Sequence, residues 1–365
     1  MPPRTKRPAG AAARAKATSA ANPVPAEAAA PAGRSLRIVA RLHAYAPRHN
    51  AGAEWMAHSL LRALAARGHQ VEAWLTRYSP DRETYELDGV RVVPLQARLD
   101  GAAAVRSADV LLAHLETVPA TGALARGAGT PLVVVCHNTH PPTFRALASG
   151  ETALAVYNSA WMAREAQVYF AEFPARLRPK SQVIVRPLVD AAEYATEPGD
   201  RVTLINCCPD KGGEVLRRLA KRMPDTEFLA VRGAYGDQVD YSSLDNIEVL
   251  DHVAGSRMRD AVYGRTRILL MPSRYESWGR AGTEALASGI PVVAQPTPGL
   301  VESLGDAGVF VDRSDLDGWV AALEQLLGDE TEWKAASERA RARSAELDPR
   351  PELKAWCEAV EALAP

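Results

Sequence analysis

Short apolar segments alternate with amphipathic helical segments along this chain from Leu36 onward, and the alternation runs through two successive blocks. A run of four or five apolar residues followed by a helix is typical of parallel β-sheets covered by helices on both faces. The chain has 365 residues, which is long for one hydrophobic core and favours two domains. We therefore predict an α/β fold made of two Rossmann-like domains.

The first block is predicted to occupy residues 35–190. It begins with a strand at 36–40, a helix at 54–67 that Gly68 ends, and a strand at 71–75. Further strands are predicted at 92–95, 110–112, 132–135, 153–157 and 183–185. A doubly wound domain of this kind binds ligands at the carboxyl ends of its strands.

The second block follows a polar stretch at 193–200 and is predicted to occupy residues 191–348. Its strands are predicted at 202–205, 227–231, 247–250, 268–271, 291–294 and 309–311, with a helix at 214–222. Because the pattern of the first block restarts here, we predict a second doubly wound domain.

Ser314 to Asp317 has the pattern of a capping box that opens a helix ending at Leu327. Asp315 and Asp317 also form an Asp-x-Asp pattern, which elsewhere holds a metal bound to a nucleotide sugar. Carboxylates at a helix start favour the cap, because they offset the positive end of the helix.

Residues 1–34 differ in composition from the rest of the chain. They are rich in Ala and Pro, and the basic residues of this stretch outnumber its one acid, Glu27. The basic residues before Glu27 are Arg4, Lys6, Arg7, Arg14 and Lys16. Because such a stretch cannot bury a core, we expect a disordered, solvated tail. A weak contact with nucleic acid or another anionic surface, and an organellar transit peptide, are the alternatives.

The overall composition favours a soluble protein. Apolar residues make up 47% of the chain and the net charge is −1, so no global attraction to nucleic acid or membranes is expected. No apolar run approaches the ~18 residues of a membrane span, so no transmembrane segment is expected. The cysteines at 136, 207, 208 and 357 lack metal-ligand spacing, which favours a reduced, cytoplasmic protein.

Two carboxylates follow one predicted strand. Glu276 falls in the loop after the strand at 268–271, and Glu284 falls in the helix after that loop. Loops at the carboxyl ends of parallel strands form the ligand sites of open α/β sheets, so both residues are site candidates. Carboxylates without His or Cys beside them suit the hydroxyls of a polyhydroxylated ligand better than a transition metal.

Four segments around and after Glu276 resemble one known family in both sequence and order. They are MPSRYESWG at 271–279, ASGIPVV at 287–293, GLVE at 299–302 and GDAG at 305–308. This pattern resembles glycosyltransferase family 4, whose members are retaining enzymes with the architecture called GT-B. The resemblance covers the chain from about Leu36 to its carboxyl terminus. It implies that the two parallel sheets face a central cleft.

The same resemblance implies how the domains are connected. Opening and closing about a linker at 187–200 is expected. The last helix, within residues 349–365, is expected to cross back to the first domain and to pack Leu353 and Trp356 there.

The resemblance also assigns a donor-sugar site. Glu276 and the backbone N–H groups of Trp278 and Gly279 are expected to hold the sugar hydroxyls, with Ser277 beside them. Glu284 is expected to bind the ribose hydroxyls.

A histidine from the first domain is expected to complete this site. His137, just after the strand at 132–135, falls where the family places a histidine that faces the donor sugar. His114 and His140 are weaker candidates for the same position.

A further group of residues is predicted to bind the diphosphate. Lys211 falls between a strand and a helix and matches the phosphate-binding lysine of the family. Gly52 takes its place in the family's Gly-Gly-x-Glu loop, where free N–H groups at a helix start can bind phosphate. Asn206 stands where many members carry an arginine, and Arg232 after the next strand is predicted to supply the missing charge.

The resemblance therefore implies a retaining glycosyltransferase that moves a sugar from a nucleotide diphosphate-sugar to an acceptor hydroxyl. His137, Glu276 and Lys211 are the predicted catalytic residues. Positive protein groups would neutralise the leaving diphosphate, so neither a metal nor a cofactor is expected. The acceptor stays open among a small molecule, a lipid, a protein and a modified nucleic-acid base.

Four other functions are alternatives. A nucleotide-sugar epimerase of the same architecture would use the same donor pocket, and Asn206 favours a sugar-nucleotide-binding protein without activity. A glycosidase that uses Glu276 and Glu284 leaves Lys211 and the loop at Gly52 unexplained. A dehydrogenase would need Gly-x-Gly-x-x-Gly after its first strand, which this chain lacks.

Overall fold

The computed structural model describes residues 34–49, 51–149, 151–234 and 236–364. Within these residues the chain forms two β-sheets, and apolar clusters pack on both faces of each. This confirms the predicted α/β fold with two Rossmann-like domains. Residues 1–33 of the predicted tail lie outside the described residues, so the expectation for the tail stays a prediction.

The first sheet has eight strands in the order β3-β4-β2-β1-β5-β6-β7-β8. They are β1 (Arg37–Leu42), β2 (Gln70–Leu75), β3 (Tyr85–Leu87), β4 (Val90–Val93), β5 (Val110–His114), β6 (Leu132–Cys136), β7 (Leu154–Tyr157) and β8 (Ser181–Ile184). All neighbours are parallel except β3 and β4. The strand order reverses between β1 and β5, so the loops after these two strands border a crevice.

The second sheet has six parallel strands in the order β11-β10-β9-β12-β13-β14. They are β9 (Arg201–Ile205), β10 (Phe228–Val231), β11 (Ile247–Leu250), β12 (Thr266–Met271), β13 (Val292–Ala294) and β14 (Gly308–Phe310). Here the order reverses between β9 and β12. The loops that carry Lys211 and Glu276 follow these two strands, so the topology brings the two side chains to one place.

The helices of the described residues connect these strands. In the first domain they are α1 (Gly52–Ala66), α2 (Gly101–Arg106), α3 (Val118–Ala128), α4 (Pro141–Ser149) and α5 (Ala160–Phe170). The later ones are α6 (Ala191–Tyr194), α7 (Gly213–Arg222), α8 (Met258–Ala261), α9 (Arg280–Ala287), α10 (Pro298–Leu304), α11 (Leu316–Gly328), α12 (Glu330–Glu346) and α13 (Arg350–Glu361).

The predicted strands are all present, and their ends lie within two residues of the predicted ends. Strand β3 was not predicted, and α1 starts at Gly52 rather than at the predicted residue 54. The cap interpretation at α11 is confirmed, but the capping residue was wrong. The side chain of Asp315, not Ser314, accepts the N–H of Gly318 at 2.9 Å.

The last helix, α13, packs on the first domain. Trp356 is fully buried in the apolar core of that domain, and its indole N–H donates to the carbonyl of Leu60 at 2.9 Å. Leu353 packs against the same core. The carboxylate of Glu352 accepts the backbone N–H of Arg186 at 2.7 Å, so the start of α13 is tied to the segment that leaves β8.

All four cysteines are buried thiols rather than disulfides. Burial raises the pKa of the Cys207 thiol to about 11 and that of Cys357 to about 12, so these groups stay protonated and pack as small apolar residues. Among the described residues, no helix combines the length and the apolar composition that a bilayer crossing requires.

Candidate active site

A cleft of about 820 Å³ lies between the two domains, lined by residues from both. Its walls include all ten residues that the sequence analysis predicted for the site. These are Gly52, His137, Asn206, Lys211, Arg232, Glu276, Ser277, Trp278, Gly279 and Glu284. The structure thus brings together residues that lie as far apart as 52 and 284 in the sequence, while their individual roles stay predictions.

Lys211 and Glu276 form an ion pair at the floor of the cleft. The ammonium of Lys211 lies 2.5 Å from Oε1 of Glu276, and the hydroxyl of Ser273 donates to the same oxygen at 2.9 Å. Both charged side chains are mostly buried, with 24% and 14% of their area exposed. The two groups predicted to bind phosphate and sugar are therefore paired with each other in this structure.

Glu284 is held by two neighbours on its own domain. The phenol of Tyr263 donates to Oε2 at 2.6 Å, and Nε of Arg280 donates to Oε1 at 2.7 Å. Burial, then the charge of Glu284, raises the pKa of Tyr263, so this phenol stays a donor. Each carboxylate oxygen keeps a second lone pair, which leaves Glu284 able to accept hydroxyls from the cleft.

Arg280 was missed by the sequence analysis, although it lines the cleft. Besides bonding Glu284, it donates through Nη2 to the phenol of Tyr194 at 2.9 Å. Its Nη1 is buried without a hydrogen-bond partner in the part of the chain that the structure describes. The four-residue spacing to Glu284 on one helix was the available signal.

Backbone geometry fixes the loop between the two glutamates. Gly279 has φ of +88° directly before α9, a conformation that favours glycine, and a Cβ there would lie 2.4 Å from Leu300. The Trp278 side chain is 2% exposed, and the guanidinium of Arg186 lies 5.8 Å from its ring centroid. Buried in this way, the Trp278 side chain packs, and only its backbone is suited to the predicted sugar contact.

Ser277 connects the two domains. Its hydroxyl donates to the carbonyl of His137 at 2.7 Å and accepts the side-chain amide of Asn158 at 2.7 Å. The sequence analysis placed Ser277 beside the sugar. The structure places the residue at the cleft, but its hydroxyl is used by protein contacts.

Two further contacts join the domains, and neither was predicted. The phenol of Tyr275 accepts the backbone N–H of Thr139 at 2.7 Å. The carboxylate of Glu302 accepts the first two N–H groups of α5, those of Ala160 and Trp161, at 2.7 Å each. A carboxylate at a helix start is favourable, so this contact stabilises the packing of the two domains against each other.

The backbone conformation and hydrogen bonds at position 206 explain why an asparagine suits this position. Its φ is +67°, a left-handed conformation that asparagine tolerates better than most side chains. Its Oδ1 accepts the N–H of Cys208 at 3.2 Å and the amide of Gln238 at 3.3 Å. A Cβ at Gly233 would lie 2.3 Å from Cγ of Asn206, so a glycine is needed beside it.

Arg232 lines the same part of the cleft as Asn206. Its guanidinium lies 3.2 Å from Asp251, and both side chains are largely exposed. An exposed pair of this kind is weak, so Arg232 can turn toward a diphosphate at low cost. Its compensating role stays a prediction.

Gly52 is the first residue of α1, and a Cβ built on it would meet no heavy atom within 4 Å. Its surroundings are open toward the cleft, which fits close approach of an anion to the helix start.

His137 lies partly exposed in the cleft wall, and Nδ1 of the buried His114 lies 3.0 Å from its Nε2. Burial lowers the pKa of His137 to about 4, so it is neutral near pH 7. His114 is thus a partner of His137 rather than a rival for its position, and His140 stacks near Tyr275 instead.

Among the residues that the structure describes, one group of side chains has donor atoms close enough to hold a metal ion. Those of His43, His49 and Glu54 lie within 4.8 Å of one another. Glu54 lies in the first turn of α1, where the helix dipole opposes a cation, and it already pairs with His43 at 2.8 Å. We assign no metal site here, and metal independence stays a prediction.

Two family models match consecutive parts of the chain. "Glycosyl transferase 4-like domain" matches residues 51–208, and "Glycosyl transferases group 1" matches residues 213–329. The chain belongs to glycosyltransferase family 4. The matched residues of this family 4 protein include nine of the ten predicted site residues, and Lys211 falls between the two matched segments.

Curated relatives of the family 4 chain match it over shorter segments. A D-inositol 3-phosphate glycosyltransferase of Mycobacterium sp. (strain KMS) is 31% identical over 148 residues, 36% of this chain and 33% of the relative. O-antigen chain mannosyltransferase B of Escherichia coli is 35% identical over 83 residues, 23% of this chain and 22% of the relative. The chain thus spans a third or less of the length of these relatives. Both are transferases, and they give no support to the epimerase alternative.

Solved structures share the GT-B fold of this family 4 chain over most of its length. A sucrose-phosphate synthase of Thermosynechococcus elongatus has a TM-score of 0.68 at 15% identity, covering 90% of this chain and 98% of that one. HepE of Anabaena in complex with UDP-glucose has a TM-score of 0.70 at 17% identity, covering 89% and 99%. At these identities the likeness shows the fold.

Proposed function

We propose that this chain is a retaining glycosyltransferase that moves a sugar from a nucleotide diphosphate-sugar to an acceptor hydroxyl. The observation that carries the proposal is one cleft in which Lys211, Glu276 and Glu284 of the second domain meet His137 of the first. HepE, which has the same fold, binds UDP-glucose, and this supports a donor of the same class. The four reduced, buried thiols support a cytoplasmic location.

The donor would be held from both ends. The diphosphate draws the ammonium of Lys211 toward itself, with Arg232 and the amides at Gly52 as further positive groups. Oε1 of Glu276 is then released from its ion pair and accepts a sugar hydroxyl. Glu284 accepts the ribose hydroxyls with its remaining lone pairs.

The reaction needs stabilisation of charge more than it needs an attacking side chain. The bond between the anomeric carbon and the diphosphate oxygen breaks, and its electron pair leaves with the diphosphate. The acceptor oxygen forms its bond to the anomeric carbon on the same face, which retains configuration, and the proton of the acceptor hydroxyl leaves with the diphosphate. Preorganised cations near the departing phosphate lower this barrier without a metal ion.

A panel of nucleotide sugars tests the proposal. We expect release of nucleoside diphosphate, and transfer to an added acceptor, from at least one donor. Lys211→Gln should lower kcat/KM by about 100-fold, because removal of one preorganised donor has effects of this size. No release and no binding of any nucleotide sugar by the wild-type chain would contradict the proposal.

Lys221→Gln is the matched control, since Lys221 is an exposed lysine of the neighbouring helix α7 and lies away from the cleft wall. The control should keep the wild-type kcat/KM. Equal losses in both variants would show that a general change of charge, rather than the site, explains the effect of Lys211.

A further inference from the structure

Three histidines and one glutamate form a hydrogen-bonded row in the first domain. Nε2 of His43 lies 2.8 Å from Oε1 of Glu54, and Nδ1 of His43 lies 3.1 Å from Nε2 of His114. Nδ1 of His114 lies 3.0 Å from Nε2 of His137. An unbroken row therefore leads from the first turn of α1 to the cleft.

The order of the strands produces this row. His43 follows β1, His114 ends β5, and His137 follows β6, and these three strands are neighbours in the sheet. Because parallel strands end at one edge, the three rings lie side by side there. Glu54 reaches the end of the row from the start of α1, where its negative charge is favoured.

Most of the row is buried, and its last ring is the most exposed. His43, Glu54 and His114 are 7%, 1% and 0% exposed, whereas His137 is partly exposed in the cleft wall. Nδ1 of His137 makes no hydrogen bond to any residue that the structure describes. This nitrogen is therefore the point where the row can exchange a proton with a bound ligand. At the other end, the Glu54 carboxylate lies 3.5 Å from Nδ1 of His49, which also lines the cleft.

The row has two complete arrangements of protons. A neutral imidazole has one donor and one acceptor nitrogen, and a carboxylate only accepts. With His43 neutral, every Nε2–H donates toward Glu54, and Nδ1 of His137 is left as an acceptor. With His43 protonated, every bond between the rings reverses, and Nδ1 of His137 carries a hydrogen.

We infer that Glu54, His43 and His114 form a proton relay that lets His137 take a proton from a substrate hydroxyl in the cleft. The hydroxyl proton moves to Nδ1 of His137, and the Nε2 proton of His137 moves to Nδ1 of His114. The Nε2 proton of His114 moves to Nδ1 of His43, which becomes an imidazolium beside the Glu54 carboxylate. No heavy atom of the relay changes place, and the reverse sequence passes the proton from Nδ1 of His137 to the departing diphosphate.

The charges around the row favour movement of the proton from His137 toward His43. Burial opposes a charge on His43, but the bond and charge of Glu54 raise its pKa above the usual value. Glu116 also favours the imidazolium and Arg77 opposes it, and these two pair at 3.5 Å. His49 and Tyr78 contact the His43 ring from the remaining side. The added proton therefore resides on His43, next to Glu54, because burial lowers the pKa of His114.

The relay rests on the proposed transferase activity, but its first test needs no substrate. Nitrogen-15 spectra of the histidine rings in the full chain, recorded between pH 5 and 9, report which nitrogen carries hydrogen. We expect His43, His114 and His137 to change together in one step. Independent changes would overturn the relay, as would a tightly bound divalent metal at Nε2 of His43.

The second test separates proton transfer from positioning. His114→Gln keeps one donor and one acceptor between its neighbours, but an amide does not pass a proton between its two atoms as imidazole does. The relay predicts a loss of kcat of about 100-fold with KM little changed. Full activity of His114→Gln would show that His114 only positions His137 and would overturn the relay.

His58→Gln is the matched control. His58 is 1% exposed and is held between the phenol of Tyr45 and the carboxylate of Asp88, both at 3.0 Å, away from the cleft wall. Its replacement should leave kcat unchanged. If the wild-type chain transfers no sugar, the proposed function fails, whereas the joint step in the spectra would still stand.

Discussion

Charged residues in the cleft are hydrogen-bonded to other protein groups. For Glu284, the question that can be tested is whether its negative charge also binds the nucleotide. Glu284→Gln keeps the shape but removes the negative charge. Hydrogen bonds to charged groups contribute about 1.5–3 kcal/mol, so we expect nucleoside diphosphate to bind at least ~10-fold more weakly. Tyr263→Phe is the control, because it removes a bond to Glu284 behind the cleft wall. Calorimetric titration should show near wild-type binding for Tyr263→Phe.

The buried histidines predict a pH dependence of stability. Burial lowers the pKa of His114 and, to about 4, that of His137, so the folded state binds fewer protons than the unfolded state. Such groups remove stability as the pH falls below the ordinary value of 6.5. The raised pKa of His43 acts oppositely, since its contribution is present below 6.5 and lost as pH rises through the folded value.

Two of the three histidines have lowered pKa values and one has a raised value, so acid should destabilise the folded state overall. The free energy of unfolding should fall between pH 6.5 and pH 4.5 in the wild type, and less steeply in His114→Gln. Denaturant unfolding at both pH values measures the difference. A steeper fall in His114→Gln would contradict the assignment of a neutral, buried His114.

At this scale the sequence located the cleft residues but not their protein partners. Lys211 and Glu276 follow apolar strands, and strand ends are visible in a sequence. The bond of Ser277 to the His137 carbonyl depends on how two domains meet, which no local pattern encodes. The left-handed backbone of Asn206 was equally hidden, because asparagine also occurs in ordinary loops.

Among the elements, α11 provides a test of the Asp-x-Asp pattern. Asp315 caps the helix, whereas Asp317 makes a long contact of 3.4 Å with Arg222. Asp315→Ala should lower the free energy of unfolding by about 1 kcal/mol, as lost caps do, and Asp317→Ala should have a smaller effect. Transfer activity should persist in both. Loss of activity in Asp317→Ala would favour a metal-binding function instead.

The strand missed by the sequence analysis had a readable signal. Asp88 and Gly89, both with positive φ, form the tight turn between β3 and β4. An Asp-Gly pair between apolar residues is a strong hairpin signal. The alternation of strands and helices dominated the prediction, and a three-residue antiparallel edge strand does not belong to that pattern.

At the scale of the whole molecule, Glu302 is one of the residues that join the two domains. Glu302→Ala removes two charge-assisted bonds to the start of α5. We expect a larger radius of gyration in solution scattering and a higher KM for the donor. Glu165→Ala is the control, because Glu165 bonds Trp161 within α5 and does not reach the second domain. Identical scattering for both variants would show that Glu302 does not hold the two domains together.

The position of α13 limits what the two domains can do. The polypeptide passes between them twice, after β8 and again before α13, and the bond from Arg186 to Glu352 holds the two passages side by side. Because the two connecting segments lie side by side, we expect the domains to rotate about a single axis and to resist twisting. Truncation of the chain before residue 349 would remove α13 and would therefore expose the part of the first domain that α13 covers.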